Sequence, residues 1–412
     1  MKICIISTRH ILDDARIVHK EAIGLIAQGH KVILYFPCND QFQFTRHDGS
    51  VIAQGVASEG RTEFIGIPVR GFRRQKGILG KLKIYLEVSR RMAMEQADVY
   101  HAHEPDLSLA IALRTKKLLK KMGRRTMVIH DMHEFPPSEN ADLFSSRLAV
   151  FFVLFVMMVR DWFFARNVDH VFTANSIVRG YALLLAPKTR VDVLYNCPRI
   201  SMFPQESDAG AHYEPSSGKL ILCHEGSLSF DRGLRNLVEV IDTLRDRVVL
   251  RIIGDVFGVE REWLHGEIKR RGLEKSIKIT GWLPYQKVGE ALIGGHVGLI
   301  LFSECLNNRL AGPPNKLFNY MNAGLPVLSV DMPEMRRIIL EEQCGLLIPD
   351  QNVSSVIETL NLLLDDPERI ESMGREGRRA IRQRYSWECM EKYHLSAGYR
   401  SMAKQLTQGP PL

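Results

Sequence analysis

Short apolar runs and amphipathic segments alternate along this chain, and the alternation occurs twice. Residues 2–7, 31–36, 98–101, 127–130 and 170–174 are strand-like, and Pro37 cuts the second of these runs. Between them, residues 14–28, 81–96 and 106–121 have helical periodicity, with Gly29 and Gly123 placed to end the first and the last. A polar stretch over 201–219 follows, rich in Pro, Ser, Gly and acids. The pattern then restarts, with strands at 220–224, 248–253, 277–279, 297–302 and 326–330. Helices are expected at 234–244, near 259–271, near 285–293 and at 314–323. Strands separated by helices pair in parallel. The expected fold is therefore α/β, with two doubly wound parallel-sheet domains over 1–200 and 220–380 and a linker over 201–219. A length of 412 residues agrees, being more than one ordinary core accommodates. Open parallel sheets bind ligands beyond the carboxyl ends of their strands. Two such domains facing each other are expected to form a cleft lined by residues that follow strands.

Composition narrows the class. At 45% hydrophobic and 25% charged, the chain reads as a soluble globular protein. Its 7 cysteines stand singly, with no Cys-x-x-Cys pair, which predicts buried reduced thiols. The first seven residues are apolar for too short a distance to be a secretory signal, so a cytoplasmic location is expected. The formal net charge of +8 is uneven: residues 70–125 hold 15 Lys/Arg against 5 Asp/Glu. Such a surface favours an anionic partner. No nucleic-acid motif or aromatic interleaving accompanies it, so no nucleic acid is expected. The expected partner is an anionic membrane surface, contacted peripherally on its inner face. The uncharged run 148–159 is shorter than the roughly 20 residues a spanning helix needs. It reads as a buried core helix in preference to an interfacial one.

Two segments of the second half suit a phosphate. Pro313 and Pro314 fit a helix start and Gly324 its end, before a buried strand. The loop 303–312 brings that helix N-terminus to the strand ends, where free N–H groups, the helix dipole and Lys316 can meet an anion. An ordinary crossover with a surface lysine fits the same residues. The second segment, 225–234, follows a strand and opens a helix. Gly226 permits close backbone approach there, and Arg232 can hold a diphosphate bidentately. In the first half, His133 follows a strand, and a buried histidine bonded to a carbonyl is its plainer reading. His101, His103, His130 and His133 form only H-x-H and H-x-x-H spacings, and no Asp-x-Asp motif occurs, so no metal is expected.

These turns, in their order and separation, resemble the donor-binding domain of glycosyltransferase family 4, which has the GT-B fold. Gly226-Ser227-Leu228, with Arg232-Gly233, is similar to the family's Gly-Arg-Leu…Lys-Gly turn. The block 319–327 is similar to its late Glu-x-Met-x-x-Gly-x-Pro-Val block, and 98–105 and 128–134 to its two post-strand motifs. Trp387 resembles the closing segment, which implies that 381–412 crosses back to the first domain. The resemblance implies catalytic roles for His133 at the donor sugar and for Arg232 and Lys316 at the leaving diphosphate. Fixed charges and helix amides would stabilise that leaving group. It implies donor contacts from Gly226, Ser227, Gly254, Asp255, Trp282, Leu283, Asn315, Leu317 and Asn319. Arg16, His103, Glu104, Asp131 and Glu134 fall on the acceptor side.

The chain also departs from the family pattern. Ser227 stands where the family has arginine, and its two glutamates spaced eight apart fall on Ala311 and Asn319. The usual glycine pair after the first strand is replaced by Ser7-Thr8-Arg9-His10. These changes imply weaker or rearranged donor binding. The expected activity is a metal-independent, retaining transfer of sugar from a nucleotide diphosphate-sugar. The acceptor is expected to be lipid-linked or a saccharide, in polysaccharide or cell-envelope assembly. A nucleotide-sugar epimerase on the same fold, or a non-catalytic nucleotide-sugar-binding partner of another transferase, are the competing readings.

Overall fold

In a computed structural model, the described residues are 1–12, 14–39, 43–45, 51–53, 55–57, 62–68, 78–105, 107–133, 146–203, 211–214, 216, 218–310 and 312–408. The chain forms two compact units, Met1–Tyr195 with Glu391–Leu412, and Asn196–Met390.

The first unit is built on β1 (Lys2–Ile6), β2 (Lys31–Cys38), β3 (Gln43–Thr45), β4 (Val51–Ala53), β5 (Gly55–Ala57), β6 (Thr62–Pro68), β7 (Val99–His103), β8 (Met127–Met132), β9 (His170–Thr173) and β10 (Arg190–Val193). Among the described residues, eight of these form one sheet in the order β10-β9-β8-β7-β1-β2-β6-β5. Every pairing in it is parallel except β5 with β6. β7 and β8 are buried along their whole length, because helices cover both faces of a doubly wound sheet. The expected helix over 14–28 opens as a π-helix, Ile17–Ala22, and becomes α-helical over Ile23–Ala27. This wider turn faces the site described below, as such bulges often do. The closing helix Ser396–Gln408 belongs to this unit, and its Tyr399 hydroxyl lies 2.9 Å from His101 Nδ1 under β7.

The second unit has β11 (Leu220–Glu225), β12 (Val248–Ile253), β13 (Ile277–Ile279), β14 (Val297–Ile300), β15 (Val327–Val330) and β16 (Gly345–Ile348). These pair in parallel in the order β13-β12-β11-β14-β15-β16. The strands alternate with helices throughout, as the periodicity predicts.

One expectation fails. The run 148–159 lies in the helix Arg147–Asn167, but it is not a core helix. Phe151, Phe152 and Phe155 are 70%, 65% and 57% exposed, and no described side chain between 148 and 160 is buried. Only the last turns are held in: Asp161 and Ala165 are buried, and Tyr181 donates to Asp161 at 2.9 Å. Apolar composition alone could not separate a covered helix from an uncovered one. Among the described residues no helix is long and apolar enough to cross a membrane.

Candidate functional site

In the first unit the carboxyl ends of β1, β7 and β8 lie side by side, so the residues just beyond them converge. β1 ends in a turn in which Ser7 Oγ accepts from the His10 amide at 3.0 Å. His10 is thereby set between Asp14 Oδ2, at 2.9 Å from Nδ1, and Glu104 Oε1, at 3.4 Å from Nε2. Burial opposes its charge, but the two carboxylates overcome that cost and push its pKa up to about 10. Glu104 sits beyond β7 with a positive φ of 72°, a strained backbone for a side chain with a Cβ, and also meets His133 Nδ1 at 3.4 Å. His133, just past β8, places Nε2 2.9 Å from His103 Nδ1. Burial holds the His133 pKa down at about 4, although Asp131 pulls the other way. Around neutral pH the site therefore contains a charged His10 beside a neutral His133, which can donate or accept but carries no positive charge.

Behind this row is a buried ionic group. Arg16 donates from Nη2 to both oxygens of Asp131 at 2.8 Å, from Nε to Glu21 Oε1 at 2.9 Å, and from Nη1 to Leu194 O at 2.9 Å. Burial works against ionised Asp131, yet Arg16 holds its carboxyl well below the usual range. Glu21 is driven the other way, by burial first and by Asp131 second. The sequence reading put Arg16, His103 and Asp131 on the acceptor side. Instead they are 4%, 0% and 0% exposed, so they support His133 and have no surface to offer an acceptor. Glu104 is buried too, at 6% exposed, and Glu134 lies outside the described residues. Glu21 and His10 were not anticipated. The strand-helix turn carrying His10 was visible, but nothing local to Glu21 marks a glutamate that folds under the sheet.

Two groups here have the donor atoms of a metal site: Glu21, His101, His103 and Asp131, and His10, Glu104 and His133. In the first, the Arg16 guanidinium already occupies the two carboxylates, so a cation would meet a full positive charge. In the second, the two nitrogens of His10 are already bonded to Asp14 and Glu104.

The neutral histidines give a pH prediction. His130 and His133 both have folded pKa values of about 4. The fold favours their neutral forms, so this contribution is intact above the unfolded value of about 6.5 and declines as pH falls toward 4. Thermal melts should show stability dropping through that window. The acid limb of activity should lie near 4, below the ordinary histidine range, and a limb centred at an ordinary histidine value would contradict the assignment.

In the second unit, β11 and β12 both end in glycines. Gly226 and Gly254 have φ of 85° and 145°, and a Cβ on Gly254 would lie 2.4 Å from Gly226 O. The two turns can stack only because position 254 lacks a side chain. The Ser227 carbonyl accepts from Arg232 Nη1 at 2.7 Å and lies 3.3 Å from His224 Nε2. That same nitrogen is 3.4 Å from Lys316 Nζ. Arg232 and Lys316 are thus linked through two groups at the Gly226 turn. The helix Asn315–Ala323 is held there by Tyr320, whose hydroxyl accepts from the Glu225 amide at 2.7 Å. Its ring lies against Gly298, where a Cβ would come within 2.3 Å.

Asn319 was expected to meet a ribose. It is fully buried, and its Nδ2 donates to Glu225 Oε1 at 2.8 Å. Glu225 therefore returns a carboxylate to the neighbourhood from which position 319 has lost one. Burial raises Glu225 above the usual carboxylate range and lowers Lys316 below the usual ammonium range. Glu225 was missed as a site residue, although its place at the end of a strand was readable. Leu317 is a correction: it is 0% exposed and its amide donates to Pro314 O, so it belongs to the core. Asn315 is exposed at the helix start, Asp255 is paired with Arg261 at 2.5 Å, Trp282 is exposed and Leu283 half-buried. Ala311 lies outside the described residues.

The sequence profile described as "Glycosyl transferase 4-like domain" matches residues 15–197, and "Glycosyl transferases group 1" matches 210–380. No curated protein sequence matches. Among solved structures, sucrose-phosphate synthase from Thermosynechococcus elongatus is similar with a TM-score of 0.65 at 15% identity, over 98% of this chain and 99% of that one. Anabaena HepE in complex with UDP and glucose gives 0.66 at 14%, over 97% and 100%. The lipopolysaccharide outer core galactosyltransferase WaaB, in its apo form, gives 0.65 at 14%, over 97% and 100%. At these identities the likeness establishes the fold.

Proposed function

Because the chain belongs to the family 4-like glycosyltransferases of the GT-B fold, we propose that it moves a sugar from a nucleotide diphosphate-sugar, without a metal and with retention, to a lipid-linked or saccharide acceptor. Polysaccharide or cell-envelope assembly is the setting this reading favours. The observation that carries it is the linked pair Arg232 and Lys316 at the Gly226 turn, a fixed positive site beyond the carboxyl end of a parallel strand. HepE, which shares the fold, was solved with UDP-glucose. A leaving diphosphate would be neutralised here by two cations and by amides of the helix starting at Asn315. The ribose is assigned to Glu225, which the buried Asn319 holds from behind. His133, kept neutral, serves the donor sugar as a hydrogen-bonding group, while Arg16 and Asp131 fix its orientation through His103. Metal independence is supported by the pairing of Arg16 with Glu21 and Asp131, the two carboxylates of the buried group.

Release of nucleoside diphosphate from UDP-, GDP- and dTDP-sugars, with membrane extract as acceptor, tests this reading. Turnover with one donor is expected, and His133→Ala should lower kcat by about 10²–10³-fold. Full activity in that variant removes His133 from the site. Tight donor binding without turnover on any acceptor argues against transfer.

A further inference from the structure

The helix Arg147–Asn167 presents a feature the transfer chemistry does not use. Leu148, Phe151, Phe152, Phe155, Val159 and Trp162 are each 45% exposed or more. Apart from the adjacent Phe151 and Phe152, successive members are three or four residues apart, so most of them share one face of the helix. An apolar surface of this extent on a folded unit marks an interaction site. The charges around it indicate what covers it. The helix has a single carboxylate, Asp161, and that group is buried against Arg160 and Tyr181. Its C-terminal end is cationic: Arg166 is exposed and stacks 4.6 Å over the Trp162 ring, while Lys116 beside it is paired with Asp169 at 2.6 Å. Exposed Lys188 adjoins Thr189, whose hydroxyl donates to Ala165 O at 3.1 Å. Apolar and aromatic residues bordered by Arg166 and Lys188, with no exposed acid on the helix itself, suit an anionic bilayer interface and not a neutral protein groove.

We propose that this helix lies in the headgroup region of an anionic membrane, its phenylalanines among the acyl chains and Trp162, Arg166 and Lys188 at headgroup level. This is a separate element from the basic stretch 70–125. The proposal draws its purpose from the lipid-linked acceptor suggested above, but its test does not depend on transfer.

Cosedimentation of the full chain with vesicles of phosphatidylcholine alone and of phosphatidylcholine with phosphatidylglycerol provides that test. Binding is expected only to the anionic vesicles. Phe151→Ser/Phe155→Ser should weaken it by about ten-fold or more, since two aromatic side chains no longer leave water. Both residues are exposed, so the thermal melt should stay unchanged, as should donor turnover on a water-soluble acceptor. Absence of vesicle binding by the native chain overturns the proposal, as does equal binding by the double variant. So does a concentration-dependent dimer of the native chain that the double variant abolishes, which would assign the face to a second copy. Loss of turnover in the native chain bears on the proposed transfer alone.

Discussion

Replacing Arg16 by leucine should destabilise the first unit by about 3–5 kcal/mol, the cost of leaving a buried ionic group without its cation. Arg16 is 4% exposed and spends all three guanidinium nitrogens on Asp131, Glu21 and Leu194 O. Without it, two carboxyl groups remain buried side by side. Glu21, already pushed up, would take a proton, and Asp131 would lose the partner that keeps it ionised. Urea unfolding followed by hydrogen exchange at β7 and β8 measures the effect. Arg16→Lys should recover only part of the loss, because an ammonium cannot reproduce the forked contact. A change below about 1 kcal/mol would show that water reaches this group in solution.

The second large effect concerns Lys316. Lys316→Met should lower kcat by about 10²–10³-fold while leaving the melting temperature nearly unchanged. The side chain is 7% exposed, so the ammonium carries a burial cost that methionine does not. Burial depresses its pKa, Glu225 partly restores it, and Arg232 opposes it. An arriving diphosphate adds negative charge and raises that pKa, so binding should take up a proton. Affinity should therefore fall as pH rises through the lysine's free-state value. Titration calorimetry in two buffers of different ionisation enthalpy detects the proton. Buffer-independent heats, or a Lys316→Met variant that binds and turns over normally, would place the diphosphate elsewhere.

How far these features were legible from sequence differs by residue. The alternation of short apolar runs with helical segments was enough for both sheets, because parallel strands buried on two faces leave a strong local signature. The meeting of Gly226, Arg232 and Lys316 was readable because each stands at a strand-to-helix turn, where open parallel sheets bring residues together. The inversions came where partners are distant in sequence. Arg16 meets Asp131 across 115 positions and Asn319 meets Glu225 across 94, so neither pairing is visible locally. Arg16 and Asp131 read as acceptor-side residues until the fold buried them together. Asn319 read as a lost carboxylate until Glu225 appeared beside it. The helix Arg147–Asn167 failed for a related reason, since apolar composition does not reveal whether anything covers it.

The account depends on a negatively charged leaving group being neutralised at the Gly226 turn. A crystal structure of the chain with a bound nucleoside diphosphate tests this most directly. The predicted result places phosphate oxygens within hydrogen-bonding distance of Arg232 and Lys316, with the ribose at Glu225. Phosphates bound elsewhere, with Arg232 still closed on Ser227 O and Lys316 still on His224, would contradict it.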